Sequence, residues 1–327
     1  MKVLITGVTG LIGSHLAKHL IENTDFKVFG FKRWRSNEKN ILRIKNQLNL
    51  IEGDISDYRS VMKSLQEIKP DFIYHLAAQS YPKESMEAPY FTYDANINGT
   101  INVLEAIKEM NINPRVHIAC SSASYGNVDE SRVPIKEDTP LLPLTHYGIS
   151  KAVQEQLGYL YYKNYGIQTY MTRFFNQIGP GQNERSSVQS FCKQIALIEK
   201  GILPPILKVG NLEPKRDFTD IRDTVKALEL LLLKGKPGEV YNIGSGNAIS
   251  IRRVLEIILK KSACKVQVEV ESSRLRIVDE PILQGDISKF QSDTGWTPTY
   301  DIEMTIESIL DYWRNTVEII KLKNLDV

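Results

Sequence analysis

The chain has 327 residues, a formal net charge of +2 and three cysteines, Cys120, Cys192 and Cys264, none close to another. That length carries an ample core without disulfide staples, and near-neutrality argues against a general nucleic-acid binder. The cysteine spacing excludes a compact thiolate metal site and points to a reducing cytoplasm.

Lys2 is followed at once by an apolar run, so no leader is expected, and the most lipid-like stretch, Leu228 to Leu233, is too short to cross a bilayer. The first element is a buried strand around Val3-Leu4-Ile5-Thr6 that breaks into Gly7, Gly10 and Gly13 before a helical pattern at Leu16, Ala17 and Leu20. In such a strand–turn–helix, Gly7 allows the turn, Gly10 lets backbone approach a diphosphate at the helix start, and Gly13 lets helix and strand pack closely. Lys27 to Phe31 reads as the second parallel strand. Its end carries Lys32, Arg33 and Arg35 with no acid before Glu38, a pattern that suits the extra phosphate of NADP(H), with NAD(H) as the alternative.

A short strand closes at Ile51-Glu52-Gly53-Asp54-Ile55, where Asp54 can accept from an adenine amino group. Phe72 to Ala78 reads as another buried strand, with His75 structural and the polar loop Gln79-Ser80-Tyr81 lying across the cofactor or beside the substrate. A helix is expected over Asn98 to Met110 and a strand over Val116 to Cys120. That strand runs into Ser121-Ser122-Ala123-Ser124, small hydroxyls where a parallel sheet places its site residues. Tyr147 and Lys151 head the next helix, which runs through Tyr162. Their i,i+4 spacing puts them on one face, where the ammonium can lower the phenol pKa and hold a ribose hydroxyl. With a strand-end serine they make a proton-transfer site of the kind hydride transfer to or from a carbinol carbon requires.

Thr169 to Asn176 reads as a strand, after which periodicity becomes irregular from 177 to 215. Lys208, Arg216 and Arg276 are the cations expected to meet a nucleotide diphosphate, although Asp217 and Asp220 leave open a structural ion pair for Arg216. A helix over Ile221 to Leu233 and a strand over Glu239 to Gly244 return to the main sheet. The remainder reads as a helix from Ser250 to Lys260, a strand near Val266 to Val270, a charged loop from Arg274 to Asp286, a closing helix around Thr305 to Thr316 and a frayed tail.

These motifs together resemble the extended short-chain dehydrogenase/reductase family over essentially the whole chain: Gly7-x-x-Gly10-x-x-Gly13, Asp54, His75-Leu76-Ala77-Ala78, Ser121, Tyr147-x-x-x-Lys151 and Arg173-Phe174-Phe175-Asn176. Ile178-Gly179-Pro180-Gly181-Gln182, Val209 to Glu213, Arg216 to Asp220, Gly285-Asp286-x-Ser288-Lys289 and Gly295-Trp296 look most like the branch acting on GDP-mannose derivatives, which holds 4,6-dehydratases and 4-keto reductases. The resemblance implies an α/β fold, a Rossmann-type doubly wound parallel sheet with a smaller mixed α/β substrate domain. The expected division is 1–176 plus 217–248 for the cofactor and 177–216 plus 249–327 for the nucleotide sugar. It also implies a homodimer through the helices after Asn98 and Tyr147.

The candidate catalytic residues are therefore Ser121, Tyr147 and Lys151. Candidate cofactor contacts are Gly7, Gly10, Leu11, Ile12, Gly13, Lys32, Arg33, Arg35, Asp54, Ile55, Leu76, Ala77, Ala78, Tyr147, Lys151 and Phe174. Candidate contacts for a GDP-sugar are Gln79, Ser80, Ser122, Asn176, Lys208, Arg216, Arg276 and Asp279, and no metal is called for. The branch divides at the serine cluster. The dehydratases place a glutamate two positions after the hydroxyl residue to work on the C5 proton, and here that position is Ala123. The reductases also often carry glutamates at this cluster, so Ala123 and Ser124 depart from both patterns, but only the dehydratase needs the carboxylate for its chemistry. Hydride transfer at C4 of a GDP-linked 6-deoxy-hexose or related heptose is the resulting expectation, in either direction. A 4,6-dehydratase borrowing a carboxylate such as Glu184 is one alternative, and a C4-oxidising epimerase the other.

Overall fold

The structure is a computed structural model and describes residues 1–275 and 280–323. Its core is a seven-stranded, all-parallel sheet built from β1 (Lys2–Thr6), β2 (Lys27–Lys32), β3 (Asn49–Glu52), β4 (Phe72–His75), β5 (Arg115–Ser121), β6 (Thr169–Phe174) and, reached after an excursion, a late strand Val240–Ile243. The spatial order is late strand, β6, β5, β4, β1, β2, β3. The chain thus leaves β1 in one direction for β2 and β3, then returns to its other side for β4. That reversal opens a crevice at the carboxyl ends of β1 and β4, the place where doubly wound sheets bind ligands.

The strands are runs of branched and aromatic residues because helices cover both faces of the sheet. On one face, α1 (Leu11–Asn23) meets a later helix, Ile221–Lys234, so that Leu16 and Leu20 pack with Leu228, Leu231, Val3 and Ile5. On the other face lie α2 (Tyr58–Ile68), α5 (Gly99–Glu109) and α6 (His146–Tyr165), burying Val61, Leu65, Val103, Leu104 and Tyr161 against Leu4, Ile73 and Ile118. Two short helices, α3 (Pro82–Glu87) and α4 (Pro89–Tyr93), fill the β4–α5 connection. Thr145 caps α6 by accepting from Gly148 N at 3.0 Å, and Gly166, at φ +69°, ends it.

The segment from 177 to 215 is more regular than its sequence pattern suggests. It holds β7 (Asn176–Ile178), α7 (Ser187–Glu199) and β8 (Ile206–Val209), and leads into β9 (Lys215–Asp220) and then α8, the helix Ile221–Lys234. After the late strand, now β10, come β11 (Ala248–Ser250), α9 (Ile251–Lys260), β12 (Gln267–Val270), β13 (Ile282–Leu283), α10 (Ser288–Thr294) and α11 (Ile302–Lys323). The closing helix is therefore longer than expected, and residues 324–327 of the expected tail lie outside the described residues. A second apolar core forms where Phe191, Cys192 and Ile195 of α7 meet Leu207, Val254, Ile258, Ile309, Leu310 and Trp313. β9 pairs with β7, β11 and β13, and β8 with β12, so this half is knit from strands far apart in sequence.

Candidate active site

The glycine turn has the geometry that the three glycines call for. Gly7 sits at φ +70°, and a Cβ there would lie 2.9 Å from Ala77 N and Cα. A Cβ on Gly13 would overlap Gly7 O and come within 2.9 Å of Val8 Cα, so α1 packs on β1 only because the side chain is missing. Gly10 is less crowded, its hypothetical Cβ 3.3 Å from Gly7 O. It is the N-cap of α1, which has neither a side-chain cap nor an acid in its first turn. Those first N–H groups, at the crevice beside β4, form a cradle whose charge and shape fit a diphosphate, and hence a nicotinamide dinucleotide.

A buried chain of hydrogen bonds holds this cradle to the helix behind it. Thr100 Oγ1 donates to Asn96 O at 2.6 Å, so it accepts from His75 Nε2 at 3.0 Å and Gln154 Nε2 at 2.6 Å. His75 Nδ1 must then accept from Thr6 Oγ1 at 3.0 Å, and Thr6 Oγ1 accepts from Leu76 N and Ala77 N, both at 3.1 Å. Burial lowers the His75 pKa to about 3, so the ring is a neutral connector, as its sequence position suggests.

At the end of β2 the expectation needs correcting. The parallel pairing sets Glu52 opposite Lys32, and buried Lys32 Nζ lies 2.7 Å from Glu52 Oε1 and 3.2 Å from Glu38 Oε1. The hydrogen bond to Glu52 leads in raising its pKa, and the lysine is a tie between strands rather than a cation open to a ligand. Arg33 and Arg35 are exposed, with the Arg35 guanidinium 4.2 Å from the Trp34 ring centroid. Asp54 is exposed and accepts from Ser56 N at 3.0 Å, while Ile55 is buried against Gly99.

Ser121 ends β5 and Tyr147 opens α6. A Cβ on Gly148 would stand 2.5 Å from Ala123 O, so that glycine lets the helix start close to the serine cluster. Ser121 Oγ accepts from Ala123 N at 3.2 Å, and the Ser121 side chain acts to lower the pKa of the nearby Tyr147 phenol. Lys151 Nζ, one turn on, donates to Ala119 O at 2.7 Å and lies 5.7 Å from the Tyr147 ring centroid. Here burial outweighs the expected effect of the ammonium on the phenol. It pushes Tyr147 up to about 12, with the Ser121 side chain pulling the other way, and lowers Lys151 to about 8. The phenol is thus held protonated, ready to donate.

The sequence pattern did not reveal the supports of Tyr147. Its N–H donates to Ser85 Oγ on α3 at 3.0 Å, and its carbonyl accepts from Ser150 Oγ at 2.7 Å. Ser150 Oγ accepts from Asn96 Nδ2 at 2.8 Å, and fully buried Asn96 also accepts from Gln79 N and donates to Gln79 O. Asn96 reaches them from a wide five-residue π turn, Asp94–Asn98, which apolar periodicity does not signal.

Among the substrate candidates, Ser122 is buried beside Ser121, Ser80 is exposed, and Gln79 is fixed to Tyr81 by hydrogen bonds in both directions. Asn176 begins β7 opposite Phe218, and Phe174 is buried edge-on to His117. Lys208 sits on the β8–β12 ribbon, 3.1 Å from Glu271. Arg216 is buried and donates to Lys215 O, Glu280 O and the Glu280 carboxylate. The acids flanking it in sequence turn elsewhere: Asp217 accepts from Ser245, Gly246 and Gly285, and Asp220 binds Arg222 with both oxygens. Arg276 and Asp279 lie outside the described residues.

The profile of the family described as GDP-mannose 4,6 dehydratase matches residues 4–309. The chain belongs to this family. It is 29% identical over 316 residues to a GDP-6-deoxy-D-mannose reductase from Pseudomonas aeruginosa, covering 97% of this chain and 98% of that one. It is 31% identical over 327 residues to a GDP-mannose 4,6 dehydratase from Cricetulus griseus, covering 90% and 86%. The solved structure of RMD from Pseudomonas aeruginosa complexed with NADPH superposes with a TM-score of 0.85 at 28% identity, covering 96% of this chain and 99% of that one. As a member of the GDP-mannose 4,6 dehydratase family the chain is an NAD(P)-dependent enzyme of the extended short-chain dehydrogenase/reductase type.

The middle of the serine cluster carries no acid, since Ala123 brings no carboxylate. Glu184, the acid considered as a substitute, is ion-paired with Lys193 of α7. Among the described residues no group of three or more His, Cys, Asp or Glu is placed to hold a metal, and no helix is long and apolar enough to cross a membrane.

Proposed function

We propose that the protein reduces the 4-keto carbon of a GDP-linked 4-keto-6-deoxy-mannose-type sugar with NADPH. The observation that carries this reading is a protonated Tyr147 at the head of α6, where Gly148 lets the helix start close to the Ser121 cluster, beside a diphosphate cradle and with Ala123 where an acid–base residue would stand. When bound, the nicotinamide supplies the hydride. Tyr147 gives its proton to the oxygen at C4, and the Ser121 hydroxyl orients that oxygen. Lys151, anchored on Ala119 O with its ammonium 5.7 Å from the Tyr147 ring centroid, is the cation that would stabilise the phenolate left behind. The reverse oxidation of a GDP-hexose or heptose would use the same three residues.

The nearly end-to-end similarity to a reductase supports this reading. The dehydratase relative of slightly higher identity supports 4,6-dehydration as the second reading. We further propose a preference for NADPH through Arg33 and Arg35, and a homodimer through α5 and α6. The exposed Ile149, Tyr159 and Leu160 on α6, with Tyr90 and Phe91 on α4, offer the apolar surface for it. We propose likewise the division into a cofactor lobe at 1–176 with 217–248 and a sugar lobe at 177–216 with 249–327, and the cytoplasm as the compartment. Incubation with GDP-4-keto-6-deoxymannose and NADPH, with the product identified by mass and NMR, tests the reading. A GDP-6-deoxyhexose with a new C4 hydroxyl is expected, and no consumption of either reactant would refute it.

A further inference from the structure

The loop between β7 and α7 reaches back across the molecule at one residue. Arg185 forms an ion pair through Nη1 with Glu84 Oε1 of α3, 101 positions away, and its guanidinium lies 5.2 Å from the Tyr81 ring centroid. Tyr81 belongs to the loop bonded to Gln79, and the residue after Glu84 is Ser85, whose hydroxyl accepts the Tyr147 N–H. The pair therefore spans from the sugar-side loop to the short helix that braces the proton donor. Both ends keep contact with water, with side-chain exposures of 56% for Arg185 and 32% for Glu84. The neighbouring acid, Glu184, is turned the other way onto Lys193.

A pair this exposed is weakly held and is easily exchanged for a stronger partner. A diphosphate is such a partner, because a guanidinium donates to two phosphate oxygens at once and both carry charge. The other described cations expected to serve a diphosphate are placed differently. Lys208 sits on the β8–β12 ribbon with Glu271, and Arg216 lies buried with its donors on the Lys215 and Glu280 carbonyls.

We propose that Arg185 is a substrate ligand for the diphosphate of the nucleotide sugar, and that Glu84 holds the guanidinium in place until the substrate displaces it. This rests on the reading of the protein as a nucleotide-sugar enzyme. Glu84 is then a competitor for Arg185, so the two side chains act on affinity in opposite directions. A purely structural ion pair would act in one direction, since breaking it from either end loosens the same contact.

Calorimetric titration of the NADPH-loaded protein with GDP distinguishes these cases. Arg185→Ala is expected to weaken GDP binding about tenfold or more, Arg185→Lys less, and Glu84→Gln to tighten it severalfold. NADPH affinity and thermal midpoint, measured on each variant, report that the fold is kept. Weakening by both Arg185→Ala and Glu84→Gln, or no change in either, would overturn the role of Arg185 while leaving the nucleotide-sugar reading intact. A wild-type protein that binds neither GDP nor UDP would overturn both.

Discussion

The two walls of the site are held by different kinds of bond. Behind the cofactor cradle, Thr6, His75, Thr100, Gln154 and Asn96 form a buried network, and Arg173 is clamped to Glu155 by two bonds of 2.6 and 2.7 Å. On the side proposed to meet the sugar, Arg185–Glu84, Lys193–Glu184, Lys208–Glu271 and Arg252–Glu213 are wholly or partly exposed ion pairs. Buried networks lose heavily when one member is removed, whereas exposed pairs contribute on the order of 0–1 kcal/mol. The wall proposed to position the hydride donor and the proton donor is thus rigid. The wall proposed to meet the sugar nucleotide is held by weaker, exchangeable pairs.

The sharpest way to break this contrast is at the proton donor. Tyr147→Phe is expected to lower turnover by about 10²–10⁴-fold, the range for a lost general acid, while NADPH still binds and the thermal midpoint stays within a few degrees. Ser121→Ala should lose less, because the donor remains. Stopped-flow measurement of NADPH oxidation checks both, and a near wild-type rate in Tyr147→Phe would remove the mechanism.

Next in size is the cradle. Gly13→Ala forces a methyl group onto Gly7 O and Val8 Cα, and overpacking against backbone should cost about 3 kcal/mol, the upper end of the usual range. Chemical denaturation should show that loss together with weakened binding of NADPH and NADH alike.

Replacing Arg33 and Arg35 together by alanine addresses the cofactor's outer end, which is exposed like the sugar wall. Charge-assisted bonds contribute about 1.5–3 kcal/mol each, so NADPH affinity should fall at least about 100-fold while NADH affinity changes little. Equal losses for the two cofactors, read by fluorescence titration, would end the preference.

The smallest expected effect is in pH. Lys151 has its pKa lowered to about 8, so its ammonium is present below that value and is lost as pH rises through it. Tyr147, held near 12, stays protonated throughout. The rate of keto reduction should therefore decline above about pH 8 with a single ionisation, and a flat profile from pH 7 to 10 would remove Lys151 from the chemistry.

What the sequence disclosed follows the same division. Gly7, Gly10 and Gly13, and Tyr147 with Lys151, act through neighbours within one or two turns, so spacing alone announces them. Lys32 misleads because its partner, Glu52, is set opposite it by strand pairing twenty residues on. Asn96 and Ser85 act on Tyr147 from a wide turn and a six-residue helix that carry no periodic signal. α7 was missed because its N-cap, Ser186, makes no side-chain cap bond and polar residues interrupt its apolar face. Among the described residues Arg216 has an acidic partner in Glu280, 64 positions away, while the acids beside it turn to other groups. A site assembled from distant, exposed charges is legible only once the strands are paired.

The central claim is that this site transfers hydride at C4 and does not eliminate water. Oxidation at C4 acidifies the C5 proton, but a base must still remove it, and Ala123 leaves the serine cluster without one. The most direct measurement is incubation with GDP-mannose and catalytic NADP in deuterated water, run beside incubation with a supplied GDP-4-keto-6-deoxymannose and NADPH. Unchanged GDP-mannose together with NADPH-dependent consumption of the keto sugar is the predicted result. Accumulation of a 4-keto-6-deoxy product carrying deuterium at C5 would contradict it.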